Sequence, residues 1–147
     1  MAKLSQRKPV DNMRLHHIGI ITDDILQDVT VYEYLGYSPI AENGEVVVND
    51  EVQRNRLAFM RHKESGELVE LIEPMDGKSS VASAKKGLAH LCYEVDNLEI
   101  VLAEIKRRRL GVVFTDTLTA PALGNGRVVF VFLKNGAVIE FFEPKVL

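Results

Sequence analysis

The sequence has no tryptophan, one cysteine and only five prolines among its 147 residues. The lone cysteine, Cys92, cannot close a disulfide within the chain, so a reducing, cytoplasmic setting is expected. No apolar run approaches the roughly 18–20 residues that a membrane span requires. The polar, basic stretch Met1 to Asn12 lacks the apolar segment of a secretory signal. Excess charge of either sign is missing too. Lys and Arg number 18 against 21 Asp and Glu, a formal net charge of −3, which gives no reason to expect a nucleic-acid partner. The remainder is 46% hydrophobic and 27% charged, as in an ordinary globular protein with length enough for one domain and a buried core.

Against these absences stands a repeated phrase. The first copy opens at Leu15-His16-His17-Ile18-Gly19 and closes at Val69-Glu70-Leu71-Ile72-Glu73-Pro74. The second opens at Ala89-His90-Leu91-Cys92-Tyr93 and closes at Ile139-Glu140-Phe141-Phe142-Glu143-Pro144. His17 and His90 lie 73 residues apart, and Glu70 and Glu140 lie 70 apart. The chain is therefore an internal duplication with a period of about seventy residues.

Each copy reads strand–helix–strand–strand–strand. In the first, Leu15 to Thr22 is a strand, and a helix over Ile25 to Leu35 is capped by Asp23 or Asp24 and stopped by Gly36. Ser38 to Ala41 and Val46 to Val48 form a strand interrupted at Asn43-Gly44. Arg56 to His62 and Glu67 to Glu73 complete the module. Met75 to Gly87 is the connection, with a short helix expected over Ser80 to Lys85. The second copy offers a strand at Leu88 to Val95, a helix over Asn97 to Leu110 ended by Gly111, and a strand at Val112 to Thr115. A loop over Thr117 to Gly126 leads to a hairpin across Asn135-Gly136. The fold class is α+β. Two βαβββ modules, about residues 14–75 and 87–146, join into one curved, barrel-like mixed sheet with helices outside, in a single domain preceded by an arm over residues 1–13.

Strand alternation puts Leu15, His17, Gly19 and Ile21 on one face and His16, Ile18 and Ile20 on the other. The repeat maps His16 onto Ala89 and His17 onto His90, so His17 is the histidine expected on the concave face. Glu70 and Glu140 each sit in an apolar strand, where an unpaired carboxylate costs several kcal/mol. Pairing with Arg56 or Arg127 is one way to neutralise them. Convergence with His17 and His90 on one divalent ion (Zn, Ni, Co, Mn or Fe) is the other, and two imidazoles with two carboxylates suit such an ion. Glu73 and Glu143 fall on the opposite face and read as strand-end residues. Tyr32, Tyr34 and Met60 read as core, and His62 as an exposed residue beside a turn.

These segments resemble the vicinal oxygen chelate superfamily over Leu15 to Pro144, and within it the methylmalonyl-CoA epimerase and glyoxalase I segments most closely. The resemblance implies paired βαβββ modules, with His17, Glu70, His90 and Glu140 matching metal ligands. Dioxygenases and fosfomycin-resistance enzymes of this superfamily are expected to use two His and one Glu, so a fourth ligand at Glu70 favours the isomerases. The strand after His17 lacks the Arg with which glyoxalase I of the common type holds glutathione. Leu57 and Ala58 stand where some epimerases carry a second glutamate base. By the resemblance, the chain is a metal-dependent isomerase of the epimerase type that abstracts a proton next to a carbonyl, with Glu140 as base and Glu70 as the alternative. A lyase acting on a glutathione hemithioacetal, and a small-molecule binding protein without catalysis, are the competing readings. A thioester or hemithioacetal substrate would need anion contacts, for which Lys85, Lys86 and Arg127 are the candidates. The loop Thr119 to Gly126 is a candidate lid, and a homodimer is expected because relatives often pair.

Overall fold

Alternation along Val69-Glu70-Leu71 and Ile139-Glu140-Phe141 divides the protein into an apolar layer under the helices and a trough that holds the two carboxylates. The structure, a computed structural model, describes residues 12–146. The expected N-terminal arm lies outside the described residues except for Asn12 and Met13. Chain order is β1 (Arg14–Ile21), α1 (Ile25–Tyr34), β2 (Tyr37–Ile40), β3 (Val48–Asp50), β4 (Asn55–His62) and β5 (Leu68–Pro74). The second module follows as β6 (Gly87–Glu94), α2 (Leu98–Arg107), β7 (Gly111–Val113), β8 (Leu118–Ala120), β9 (Gly126–Leu133) and β10 (Val138–Glu143). All ten strands join one mixed sheet in the order β2-β4-β5-β1-β6-β10-β9-β7, with β3 also on β4 and β8 on β9. The modules meet where β1 and β6 pair antiparallel, and each of those strands pairs in parallel with its own module's last strand. The sheet ends at β2 and β7 without closing, so the barrel-like form is an open one.

Both helices cover the face that carries Val69, Leu71, Ile139 and Phe141. Ile25 of α1 packs on Ala58, Met60, Val69 and Leu71, and Leu98, Val101 and Ile105 of α2 pack on Val129, Val131, Ile139 and Phe141. Burying each large apolar side chain of this kind stabilises the fold by about 1.5–3 kcal/mol. Met60 is fully buried there and Tyr32 partly so, but Tyr34 is 90% exposed and belongs to no core. The α1 helix has a single buried residue, so its last turn leaves Tyr34 in solvent. His62 does more than flank a turn. Its Nε2 meets the Leu35 carbonyl at 3.0 Å and its Nδ1 accepts the Ser65 N–H, tying the β4–β5 turn to the end of α1.

Several expected elements differ. The interrupted strand before β4 is two strands, with β2 on Phe59–His62 and β3 on Asn55–Leu57, separated by the turn at Asn43 and Gly44. The loop at 117–126 contains β8, which pairs with β9 as β3 pairs with β4, and then a single 3-10 turn at Pro121–Leu123. No helix forms over Ser80 to Lys85. Ser79 and Ser80 spend their hydroxyls on Asn55 and Gln53, and that competition leaves a run of turns. The α2 helix stops at Arg107, earlier than expected, because Arg109 takes a left-handed conformation (φ 53°). Gly111 is needed for space instead, since a Cβ there would lie 2.3 Å from the Phe132 carbonyl oxygen.

The second glutamate of each closing phrase has a structural task. Glu73 accepts the Ile25 N–H at 2.8 Å and pairs with Arg56, and Glu143 accepts the Leu98 N–H at 2.7 Å and pairs with Arg127. Each carboxylate thus fastens a helix N-terminus to its sheet, where the helix dipole favours negative charge. Charge-assisted bonds of this kind contribute about 1.5–3 kcal/mol. Glu143→Ala is expected to lower unfolding stability by that amount in urea titration; a loss under about 0.5 kcal/mol would show the tether dispensable.

Candidate metal and active site

Four central strands carry the four expected ligands: β5 holds Glu70, β1 holds His17, β6 holds His90 and β10 holds Glu140. On a flat sheet, β5 and β10 would stand three strand spacings apart, roughly 14 Å. Here one ligand atom from each of the four residues lies within 4.8 Å of the others. Curvature of the sheet closes the difference, and the trough is the result. All four residues are buried.

The register explains how two imidazoles fit at the seam. Gly19 stands opposite both Glu70 and His90, and Cys92 stands opposite both Glu140 and His17. Gly19 and Cys92 are repeat equivalents, and each makes room for the other module's histidine. A Cβ on Gly19 would sit 2.2 Å from His90 Cε1. Cys92 is fully buried, and burial pushes its thiol up to about 12, so it packs as a small apolar group. Phe59 and Phe130, another equivalent pair, meet the His17 and His90 rings edge-on at 5.4 and 5.5 Å.

Within the quartet, His17 Nε2 lies 3.3 Å from His90 Nε2, 3.4 Å from Glu70 Oε1 and 3.2 Å from Glu140 Oε1. His90 Nε2 lies 3.2 Å from Glu140 Oε1 and 3.8 Å from Glu70 Oε1. Glu140 Oε1 is buried without a hydrogen bond of acceptable geometry, despite two imidazoles beside it. Nitrogen and oxygen ligands at about 2.0–2.2 Å from a divalent ion stand roughly 3.0–3.6 Å from one another. Four of these five spacings fall in that range, and together with the orphaned oxygen they fit a shared ion. Arg56 and Arg127, the other candidate partners, are occupied by Glu73 and Glu143.

Electrostatics agree with the crowding. Burial alone would lower the basicity of His17, yet the Glu70 charge and the closeness of Cys92 and Glu140 raise it well above the ordinary imidazole value. Burial would likewise raise Glu140, but the two imidazoles hold it well below the usual carboxylate range. His16, one residue from the quartet, is lowered by burial and by the charge of His17.

A cavity of about 350 Å³ opens above the quartet, with Glu70, His90 and Glu140 at its floor and Leu57, Ile72 and Phe130 among its walls. Leu118, Ala120, Ala122 and Leu123 also line it, so the expected lid segment forms part of the wall. Lys85 lines the cavity. Lys86 pairs with Asp23 at the surface, and Arg127 bonds Glu99 and Glu143 outside it. One acidic residue was not anticipated. Asp50, at the end of β3, is 3% exposed and lines the same cavity, with Oδ1 accepting the N–H groups of Val52 at 2.9 Å and Gln53 at 3.0 Å. Burial raises its carboxyl, against those bonds, and the charges of Glu70 and Glu140 add to the shift. In sequence it is an aspartate after a short apolar run, indistinguishable from a strand end.

Residues 16–130 match the family model described as the Glyoxalase/Bleomycin resistance protein/Dioxygenase superfamily. No curated protein matches the sequence. Among solved structures, a hypothetical protein from Bacillus halodurans is 21% identical with a TM-score of 0.77, covering 92% of this chain and 97% of its own. Methylmalonyl-CoA epimerase from Mycobacterium tuberculosis is 21% identical with a TM-score of 0.77, covering 99% and 97%. A variant of the Streptomyces coelicolor methylmalonyl-CoA epimerase in complex with 2-nitronate-propionyl-CoA is 21% identical with a TM-score of 0.71, covering 90% and 98%. At this identity the likeness is one of fold. No helix among the described residues is long and apolar enough to cross a membrane.

The tight fit at Gly19 is directly testable. Gly19→Ala is expected to weaken zinc binding by about tenfold or more in chelator competition, with the far-ultraviolet dichroism unchanged. Unaltered affinity would mean that His90 has room to move.

Proposed function

Because the chain belongs to the Glyoxalase/Bleomycin resistance protein/Dioxygenase superfamily, we propose that it is a divalent-metal-dependent isomerase of the methylmalonyl-CoA epimerase type, removing the proton α to a thioester carbonyl. The observation that carries this reading is the buried quartet, whose donor atoms gather at one point and leave Glu140 Oε1 without a hydrogen bond. His17, Glu70, His90 and Glu140 would hold one divalent ion of the Zn, Ni, Co, Mn or Fe group. Such an ion supplies Lewis-acid stabilisation of the negative charge that develops on a carbonyl oxygen.

The protein's own groups supply the rest. Glu140 takes the α-proton, and Glu70 is its counterpart in the other module. Inverting the centre requires a proton delivered to the opposite face, and Asp50 is the group for that step. Burial raises its carboxyl above the ordinary aspartate value, the direction that favours holding a proton. One C–H bond breaks to Glu140 and one forms from Asp50, with no change of oxidation state. Leu57, Ile72 and Phe130 keep water from the reactive carbanion. Lys85, the one expected cation that lines the cavity, meets the acidic portion of the substrate.

Metal-replete protein in D2O is expected to place deuterium at the α-carbon of methylmalonyl-CoA, and chelated protein is not. Glu140→Gln should slow this exchange at least about a hundredfold. With Asp50→Asn, one epimer should still exchange its α-proton while interconversion of the epimers falls by about the same factor. Equal loss of both would remove Asp50 from the acid–base role. Turnover of the methylglyoxal–glutathione hemithioacetal in place of exchange would transfer the quartet to the lyase reading. Ligand binding without turnover of either substrate would leave a binding protein.

A further inference from the structure

The second ring nitrogen of His17 has a partner that the duplication did not supply to His90. The β1–β6 pairing slips between Leu15 and His17, and again between Gly19 and Ile20 opposite the Leu88–His90 stretch. These irregularities place one extra residue in each strand, His16 in β1 and Ala89 in β6, at repeat-equivalent positions. A bulge re-aims its side chain. Simple alternation would point His16 away from the trough, but its Nδ1 lies 2.8 Å from His17 Nδ1 and its ring stands edge-on to Phe142 at 5.3 Å. The corresponding residue of the second module is an alanine, with no polar atom to offer.

At 2.8 Å, two ring nitrogens must be one donor and one acceptor. His17 Nε2 faces His90, Glu70 and Glu140 and is the atom that the quartet uses. A neutral imidazole that presents a lone pair at Nε2 carries its hydrogen on Nδ1. The acceptor is then His16 Nδ1, and its own hydrogen sits on Nε2. We propose that His16 is a positioning residue that holds His17 with Nδ1 protonated and its ring fixed, so that Nε2 is always aimed into the quartet. This deepens the metal-site reading without depending on it, because the Nδ1 hydrogen bond is present whether or not an ion is bound. It also makes the two histidines unequal: the ligand from the first module is locked by a side chain from its own bulge.

The test uses full-length protein labelled with 15N in its histidines, together with zinc titration. Wild type is expected to show a slowly exchanging proton on His17 Nδ1, in metal-free and zinc-loaded forms alike. His16→Phe keeps a ring against Phe142 and removes the acceptor. It should lose that slow proton and weaken zinc binding by about tenfold to a hundredfold. His16→Asn places an amide oxygen near the original Nδ1 and should restore both to within about threefold of wild type. A His16→Phe protein with the wild-type proton signal and zinc affinity would overturn the proposal. So would an Asn variant as impaired as the Phe variant, or a wild type with no slow His17 Nδ1 proton, a result that stands even if His16→Phe does not fold. Should wild type bind no zinc, the metal reading fails, while the proton signal still decides the role of His16.

Discussion

Taking two carboxylates out of water costs several kcal/mol apiece unless a counter-charge stands close by. Glu70 and Glu140 are buried in the middle of apolar strands, and the geometry of the whole trough answers that cost. Curvature of the four central strands carries the two carboxylates to within 4.8 Å of both imidazoles. The raised basicity of His17 and the lowered basicity of the Glu140 carboxylate are two views of the same attraction. Removing either imidazole would strand a buried carboxylate, and removing either carboxylate would leave His17 with less to hold its proton.

The same phrase, Glu-x-x-Glu-Pro, serves both layers because a spacing of three puts its two carboxylates on opposite faces of a strand. The first glutamate enters the trough, and the second reaches across the helix layer to a backbone N–H and an arginine. Site and scaffold are thus held by neighbouring residues of β5 and β10. The apolar residues Leu71 and Phe141 between them belong to the helix-facing cores, so the trough carboxylates ride on strands anchored by packing.

Duplication makes the quartet legible in the sequence alone. A histidine and a glutamate recurring at matched positions identify the concave face without knowledge of the sheet order. Glu73 and Glu143 were correctly placed on the other face, but their partners lie at helix starts 48 and 45 residues away, a distance that strand periodicity cannot bridge. His16 was misassigned because alternation fails at a bulge, and the bulge depends on the register of a strand from the other module. Asp50 is not legible in the sequence because its burial depends on β3 pairing with β4, where it stands opposite Asn55. Arg127 read as an anion contact because a sequence gives the charge of a side chain but not the carboxylates that engage it.

Two identical copies of one βαβββ unit, related by a twofold axis, would bring the same two His and two Glu together. Such a homodimer would also be obliged to build both ends of its trough alike, since symmetry forces every residue on one subunit to recur on the other. The trough here has a cavity at each end, one bordered by Ala89 and Ile72 and the other by their counterparts His16 and Phe142. Fusion into a single chain released positions 16 and 89 from having to match. At the Ala89 end the trough opens above the quartet, while at the other end His16 stands 2.8 Å from His17.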